Sequence, residues 1–572
     1  MPMASTATDD VDYPSLRFVH APLPAGGEGA VRHPVVVVGA GPVGLSLAID
    51  LAQQGVPVLL LDRDDRLASG SRAICFAQRT LEVFDRLGCG ERFVQKGVSW
   101  QVGKVFFRDE QVYRFDLQPQ AGHQRPAFVN LQQYYCEGYL VERAQQLQER
   151  LHLRWGHQVV AVEAGDDGVS LEVEAGGGRY RLQTDYLVAC DGARSVVRQQ
   201  LGRERAGRVF RDRFLIADVR LPQGGFPAER WFWFDPPFHP GQSVLLHSQP
   251  DGVWRVDFQL GWDADPQEAQ RPEHLLPRLR ALLGEQPFEL EWVSVYTFAC
   301  QRMERFREGR VLFAGDAAHR VSPFGARGAN SGVQDADNLA WKLACVLRGE
   351  APPALLDSYA DEREQAADEN IRHSSRATDF ISPKSEVSRL FRQSVLELAK
   401  EHAFARTLVN SGRLSTPTWL PASPLNTPDA DRFDGGLPPG APATDAPVRA
   451  CPADGSQAVP GWLLRQLPAT GFTALLFGPG GMDAAALEAW QAAAHGLASL
   501  QWVVVLPAGA TRRPALAGAR VLLDAEGLLQ ERYDGRPGTL YLLRPDRHVC
   551  ARWRRPEPAA LRAALQRALC RA

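Results

Sequence analysis

The stretch VVVVGAGPVGLSLA, Val35–Ala48, decides the fold predicted for this chain. Pro34–Val38 is apolar and rich in β-branched residues, which is typical of a strand buried on both faces of a sheet. A helix pattern then runs from residue 43 to 54 and ends at Gly55. Because Val58–Leu61 is a second buried strand, the pattern predicts the βαβ opening of a doubly wound α/β sheet.

Between strand and helix lie Gly39, Gly41 and Gly44, in the spacing GxGxxG. The first glycine permits a tight turn, the second lets the backbone approach a pyrophosphate, and the third lets helix and strand pack closely. The N-terminus of the helix offers free N–H groups to that pyrophosphate. Asp62, with Arg63 beside it, stands at the end of the second strand, where ribose-binding acids occur. The motif indicates a dinucleotide, either FAD or NAD.

Two further strand-to-turn motifs favour FAD. The segment YLVACDGARSVVR places Asp191 after a buried strand, and GRVLFAGDAAHRVSPFGARGANSG places Gly315 and Asp316 after another. A glycine-rich loop ending at Gly328 then leads into a helix. Asp316 can bind ribityl hydroxyls, and the helix N-terminus can bind a negatively charged flavin oxygen. An NAD dehydrogenase needs no such second site.

These motifs resemble those of the class A flavoprotein monooxygenases, a family that includes the 4-hydroxybenzoate, phenol and 3-(3-hydroxyphenyl)propionate hydroxylases. The likeness spans residues 34–410. It implies that Arg72, in GSRAICF, lies near the pyrophosphate, and that Gln133, in QYYCEGYL, lies beside the flavin. It also implies that Pro323 lines the isoalloxazine, and that Ala329 and Asn330 offer it backbone N–H groups.

The resemblance implies a reaction as well. A C4a-hydroperoxide of FAD, formed with NADH or NADPH and O2, hydroxylates a small phenolic substrate, and we expect the new hydroxyl ortho to an existing one. Two functional residues of the family have no counterpart here: Ile74 stands where phenol hydroxylase has an Asp, and Pro250 stands where 4-hydroxybenzoate hydroxylase has the Arg that binds the substrate carboxylate. His247 and Arg255 are the catalytic candidates, although Arg255 is also spaced for an internal ion pair with Asp257.

Composition and patterning predict the organisation of the chain. Its 572 residues are too many for one ordinary domain, and a formal net charge of −3 gives no basic field for nucleic acid. No apolar run is long enough to span a membrane, no signal peptide is recognised, and the nine cysteines lack metal-site spacing, so we expect a cytoplasmic protein without a metal. The predicted parts are a loose N-terminal extension (1–33), an FAD-binding domain (34–205 and, with a helical segment, 300–410), an inserted β-sheet substrate domain (206–299), a linker (411–447) and a thioredoxin-like domain without CxxC (448–572).

Other interpretations stay open at this point. WFWFDP, Trp231–Pro236, approaches the WxWxIP pattern of flavin-dependent halogenases, but no lysine lies between Asp62 and Lys96 to match their catalytic one. A non-catalytic FAD-binding or ligand-binding partner protein is the second alternative. Assembly into a homodimer is also left open as a possibility. The aromatic residues that could contact a ring substrate are Trp231, Trp233, Phe234 and Trp254.

Overall fold

A computed structural model describes residues 11–23, 31–68, 70, 72–118, 120–222, 225–409, 416–452, 454–478, 484–510 and 518–571. Much of the predicted N-terminal extension, residues 1–10 and 24–30, lies outside this range. The described part is not loose, because Tyr13 is buried against the helix Gln133–Gln145 and its hydroxyl donates to Glu142 at 2.5 Å. Within the described ranges, no helix combines the length and the hydropathy that a membrane span requires.

The first sheet is the predicted doubly wound one, and the α/β class is confirmed. Its strands lie in the order Arg307–Glu308, Val311–Phe313, Gly178–Ala189, Arg32–Val38, Val58–Asp62 and Leu151–Trp155, with His157–Ala164 and Val169–Ala175 added as antiparallel strands. The helices packed around it are Pro42–Gln53, Gln78–Leu87, Gly90–Lys96, Gln133–Gln145, Val196–Gln200, Gly328–Leu347 and Leu355–Ile381.

Three parallel strands of this sheet end side by side. Val38 pairs with Ala189, and Ala189 pairs with Phe313. Because the carboxyl ends of parallel strands share one edge of a sheet, the turns that follow them are neighbours, although they are far apart in sequence. The three motifs therefore open onto one place.

The second large sheet faces this edge. Its strand order is His319–Arg320, Glu289–Met303, Arg205–Arg220, Val253–Leu260, Ser243–Ser248, Arg230–Phe234, Val102–Phe107 and Glu110–Asp116. The predicted insert, 206–299, thus holds most of five strands of the eight, while 102–116 adds two that the sequence did not assign to it. They join through parallel pairing of Val105 with Phe232, a long-range contact that local patterns do not reveal. The helices Pro266–Gln270 and Pro272–Leu283 belong to this region, and a small sheet of Cys75–Ala77, Phe128–Asn130 and Val98–Trp100 lies beside it.

The C-terminal part has its own sheet, with the order Val459–Trp462, Pro447–Cys451, Ala519–Asp524, Leu500–Pro507, Phe472–Phe477, Leu540–Leu543 and Val549–Trp553. Its helices are Leu463–Gln466, Ala484–Ala494, Leu528–Arg532 and Pro558–Ala568, and the helices Glu386–Glu401 and Ala403–Val409 precede the predicted linker. Residues 411–415 of that linker are outside the described range. The rest of it packs closely, with Leu425 and Ala446 fully buried. The thioredoxin-like assignment stays a prediction.

A buried ionic cluster joins the C-terminal part to the FAD-binding domain. Glu362 accepts hydrogen bonds from Arg544 at 2.6 and 3.0 Å and from Lys342 at 2.7 Å, and all three side chains are almost inaccessible to solvent. Arg544 also pairs with Asp546, and Asp546 accepts from Asn338 at 3.1 Å. Because Lys342 and Asn338 lie on the helix Gly328–Leu347, this cluster fixes the turn at 544–548 against that helix.

Candidate functional site

A cleft of about 1200 Å³ lies where the two large sheets meet. Fifteen of the sixteen predicted site residues line it, and Gly44 is the exception. The lining residues are Gly39, Gly41, Asp62, Arg63, Arg72, Gln133, Asp191, His247, Arg255, Gly315, Asp316, Pro323, Gly328, Ala329 and Asn330. Residues that are separated by up to about 290 positions in the chain are thus brought to one cavity.

The three glycines of the first turn differ in what surrounds them. Gly39 has φ +104°, a conformation that favours glycine, and a Cβ there would collide with the carbonyl oxygen of Cys190. At Gly44 a Cβ would collide with the carbonyl oxygen of Gly39, so this residue is needed for helix–strand packing. A Cβ on Gly41 would meet nothing within 4 Å. Only at Gly41 does the missing side chain leave space in the cleft itself.

Asp62 fixes the shape of that turn. One of its carboxylate oxygens accepts from the backbone N–H of Ala40 at 2.5 Å, and the other accepts from Asp64 at 2.8 Å. Burial raises the pKa of Asp62 despite these bonds. The exposed Arg63 continues the cleft wall, with its Nε 3.9 Å from Asp64.

Gln133 and Glu137 tether the loop that carries Arg72. The side-chain oxygen of Gln133 accepts from the N–H of Ala73 at 3.0 Å, and its nitrogen donates to Glu137 at 2.7 Å. Glu137 also accepts from the N–H of Ala68 at 2.6 Å, and burial raises the pKa of Glu137 to about 7. The Q-x-x-x-E pattern thus holds the loop on the helix while Arg72 stays exposed in the cleft.

The second and third motifs line the cleft beside the first glycine turn, since a Cβ on Gly39 would lie 2.9 Å from the Cα of Asp191. Asp191 accepts from the N–H of Val197 at 3.2 Å through one oxygen, while its buried Oδ1 has no hydrogen-bond partner among the residues that the structure describes. Gly315 donates its N–H to Asp335 at 2.9 Å. Asp335 is fully buried, and although burial opposes its ionisation, the charges of His319 and Arg363 hold its pKa below the usual value. His319, whose Nε2 lies 2.7 Å from Asp335, therefore helps to hold this turn.

The helix Gly328–Leu347 points its N-terminus at the cleft. Its first N–H groups have no acceptor within the helix, which leaves them available to a ligand. The Asn330 side chain accepts from the N–H of Ala77 at 2.9 Å and donates to Cys75 and Ala326. Ala326 has φ +53°, so the hydrogen bond from Asn330 to its carbonyl stabilises a strained loop just before the N-terminus of the helix.

The wall formed by the second sheet carries the two catalytic candidates. Arg255 donates to Asp257 at 2.8 Å, and both are buried, so the internal ion pair predicted from their spacing is present. His247 is 2% exposed, and its Nε2 lies 3.3 Å from Asp257. Burial and then the charge of Arg230 lower the pKa of His247 to about 4. It is therefore neutral at pH 7 but a weak base.

The chain is similar to known proteins over most of its length. A model of the FAD binding domain family matches residues 32–374, more than half of the chain. The 6-methylpretetramide 4-monooxygenase of Streptomyces rimosus is 33% identical over 560 residues, which cover 93% of each chain.

The chain belongs to the class A FAD-dependent aromatic hydroxylases.

Two further comparisons agree. The 3-(3-hydroxy-phenyl)propionate/3-hydroxycinnamic acid hydroxylase of Comamonas testosteroni is 30% identical over 369 residues, 63% of this chain and 61% of that one. The solved structure of aklavinone-11 hydroxylase with FAD and aklavinone covers 94% of this chain and 99% of its own, at 25% identity and a TM-score of 0.72. FAD is the cofactor of this hydroxylase.

The aromatic residues of the hydroxylase are placed differently from the expectation. None of Trp231, Trp233, Phe234 and Trp254 is among the residues that line the cleft; Trp233 and Trp254 pack in the apolar core of the second sheet. Tyr296 and Phe298 of the second sheet line the cleft instead, as does Trp155 of the first sheet. For the strand Val253–Leu260, alternation could not have separated the two faces, because every residue of that strand is buried.

Arg230 is the residue of the cleft that sequence reasoning missed. It begins the strand Arg230–Phe234, is 5% exposed, and lies opposite His247 in the neighbouring strand. The sequence gives no signal for it beyond its place next to the tryptophans.

Proposed function

We propose that this hydroxylase inserts one oxygen atom of O2 into the ring of a phenolic compound, ortho to an existing hydroxyl, at the expense of NADH or NADPH. One observation carries the proposal: the three strand-end turns and the N-terminus of the helix Gly328–Leu347 face a buried polar and aromatic wall across a single cleft. A ring held against that wall lies at the cofactor.

The cleft residues fit FAD. The open space at Gly41 suits the pyrophosphate, and the oxygen of Asp191 without a partner suits a cofactor hydroxyl or N–H. The assignment follows the order of the motifs: Gly39, Gly41, Gly44, Asp62 and Arg63 for the ADP half, Arg72 and Gln133 near the pyrophosphate and flavin, Asp191, Gly315 and Asp316 for the central chain, and Pro323, Gly328, Ala329 and Asn330 for the isoalloxazine.

When bound, FAD supplies the activation of O2. The protein's own task is to hold the ring close, to exclude water and to polarise the phenol. Ile74, Tyr296 and Phe298 provide the apolar contact surface. His247 and Arg255 are the polar candidates on the wall: neutral His247 can hydrogen-bond a phenol, and Asp257 holds Arg255 in place.

Substrate-stimulated turnover tests this function. The FAD-loaded protein is mixed anaerobically with NADH or NADPH, with and without each member of a phenol panel, and flavin reduction is followed by stopped-flow absorbance. We expect at least one phenol to accelerate reduction and, in air, to yield a product 16 Da heavier with the hydroxyl ortho to the original one. If no phenol changed the reduction rate or the products, a non-catalytic binding protein would be favoured. A product that formed only with chloride would favour a halogenase.

Three further expectations belong to this proposal. We infer a homodimer in the cytoplasm, which light scattering and fractionation of the native host would test. The thioredoxin-like C-terminal part serves a structural role, since the nine cysteines lack a CxxC pair for dithiol exchange.

A further inference from the structure

Arg230 is a buried cation that has no ion-pair contact with a carboxylate of the described residues. It is 5% exposed, and no carboxylate of the described residues lies within 4.0 Å of its nitrogens. Its Nη1 donates to the sulfur of Cys75 at 3.6 Å, and its Nε has no hydrogen-bond partner in the described part of the chain. Since a buried charge is costly unless it is paired, this guanidinium can accommodate a partner that the described residues do not provide.

The neighbours of Arg230 compensate its charge only in part. The nearby charge of Asp257 favours the ionised form of Arg230, but Asp257 is already hydrogen-bonded to Arg255 and lies 3.3 Å from His247. The rings of Trp100 and Phe232 lie 5.6 and 5.2 Å from its central carbon, which is a weak compensation. Burial raises the pKa of the Cys75 thiol, so the sulfur stays uncharged. Arg255 makes the contrast clear, because that arginine of the same wall has Asp257 at 2.8 Å.

The wall around Arg230 offers donors that need acceptors. Arg230 lines the cleft, and so does His247, which is its cross-strand neighbour. The Nδ1 of His247 is buried without a hydrogen-bond partner among the described residues. A guanidinium only donates hydrogen bonds, and a neutral imidazole can donate one, so a complementary ligand presents an oxygen that accepts, and an anionic oxygen best balances the charge.

We propose that Arg230 binds an anionic oxygen of the aromatic substrate, either its phenolate or a carboxylate on the ring, and so restricts the enzyme to substrates that carry one. The inference rests on the proposed function, because it names the substrate class of that same site. Arg230 becomes a specificity-determining residue that contacts substrate.

Matched pairs of charged and neutral probes test the proposal without turnover. The FAD-loaded protein is titrated at pH 8 with benzoate and benzamide, and with 4-nitrophenol and 4-nitroanisole, and binding is read from the flavin absorbance change. In the wild type we expect the Kd of at least one anion to be about tenfold lower, or lower still, than the Kd of its neutral partner. A preference within the first pair identifies a carboxylate site, and one within the second pair identifies a phenolate site.

Substitution then assigns the preference to Arg230. We expect Arg230→Met to abolish it while neutral probes keep their affinity within about threefold, and Arg230→Lys to retain part of it. Lys104→Met is the control, since Lys104 lies on the adjacent strand, paired with Glu229 at 2.7 Å, outside the cleft lining. It should keep the full preference.

A stability measurement separates this role from a structural one. Because Arg230→Met removes an unpaired buried charge, the variant should melt at or above the wild-type temperature. The proposal would be overturned by a wild type without any anion preference, by a preference that survives in Arg230→Met, or by a variant that unfolds or no longer takes up FAD. Failure of the proposed function would appear separately, as normal probe binding without hydroxylated product.

Discussion

Two glycines of one turn, Gly41 and Gly44, should respond to the same substitution in opposite ways. In Gly44→Ala the new methyl group collides with the backbone carbonyl of Gly39, which cannot rotate away as a side chain could. Overpacking of this kind costs up to about 3 kcal/mol, and the higher helix propensity of alanine returns about 1 kcal/mol. The net loss of about 2 kcal/mol should lower the melting temperature of the FAD-free protein by roughly 4–8 °C.

Gly41→Ala should leave the fold almost unchanged. The residue has φ −76° and open space around its Cβ position, so alanine is neither strained nor crowded. A poorer N-cap costs about 0.5 kcal/mol, and the reduced entropy of the unfolded chain returns a similar amount. The methyl group, however, occupies the space assigned to the pyrophosphate. We expect the Kd for FAD to rise by about tenfold or more, which corresponds to about 1.4 kcal/mol.

The assay combines thermal melting of the two FAD-free variants with titration of FAD by flavin fluorescence. Each variant is the control for the other, since the residue created is the same. The reasoning would be refuted if Gly41→Ala bound FAD with wild-type affinity, or if FAD-free Gly44→Ala melted at the wild-type temperature.

Three other substitutions probe the supports of the site. Glu362→Gln leaves buried cations without their partner, so we expect a loss of about 3–5 kcal/mol in the free energy of unfolding, measured in denaturant, whereas Asp361→Asn, at an exposed neighbour, should change it by less than about 0.5 kcal/mol. The pKa of His247 is lowered to about 4 in the folded protein against about 6.5 in the unfolded chain, so its neutral form stabilises the fold fully above pH 6.5, and this stability, about 3 kcal/mol, is lost as the pH falls towards 4. The charged groups that face His247, which are Arg230, Arg255 and Asp257, keep their charges over that range. His247→Gln should therefore flatten the pH dependence of the free energy of unfolding, and an equally steep curve for the variant would contradict the argument. Gln133→Ala removes the hydrogen bond to the N–H of Ala73 and the one to Glu137, the carboxylate that binds Ala68. We expect FAD affinity to fall by about tenfold with little change in melting temperature; equal affinity would mean that other contacts hold Ala73.

The sequence was sufficient for the cofactor side of the cleft because its signals are local. A buried strand, a glycine turn and a helix lie within fifteen or so positions at each motif, and the bounds Arg32–Val38 and Pro42–Gln53 differ from the prediction by one or two residues. Parallel pairing then brings the turns together without any further information. For the same reason the places of Asp62 and Asp316 after strands were enough to predict that both lie in one cleft, while their contacts with FAD stay a prediction.

The part of the second sheet that lines the cleft was harder to predict from the sequence, because the sheet depends on long-range strand pairing. The strand Val102–Phe107 joins the second sheet beside Arg230–Phe234, more than a hundred positions away, and its own pattern does not tell which sheet it enters. Arg230 lies opposite His247 through a different and more local pairing, that of Arg230–Phe234 with Ser243–Ser248. Because both faces of Val253–Leu260 are buried, alternation also failed to show which side chains meet the cleft.

The lining of the cleft suggests how a phenol could be activated although the family's aspartate is replaced by Ile74. Ile74 lines the cleft where a relative has an aspartate, and Pro250 is absent from the lining residues, with its carbonyl accepting from Gln132 instead. His247 is too weak a base to hold a proton at neutral pH. A proton acceptor is not the only means of activating a phenol, however. A nearby buried cation stabilises the charged form of an acid, so the phenol itself ionises more readily in the complex. If Arg230 supplies that charge, the rate of hydroxylation should follow the ionisation of the bound phenol rather than that of any side chain, and a series of phenols of increasing acidity would show its pH profile moving with the substrate.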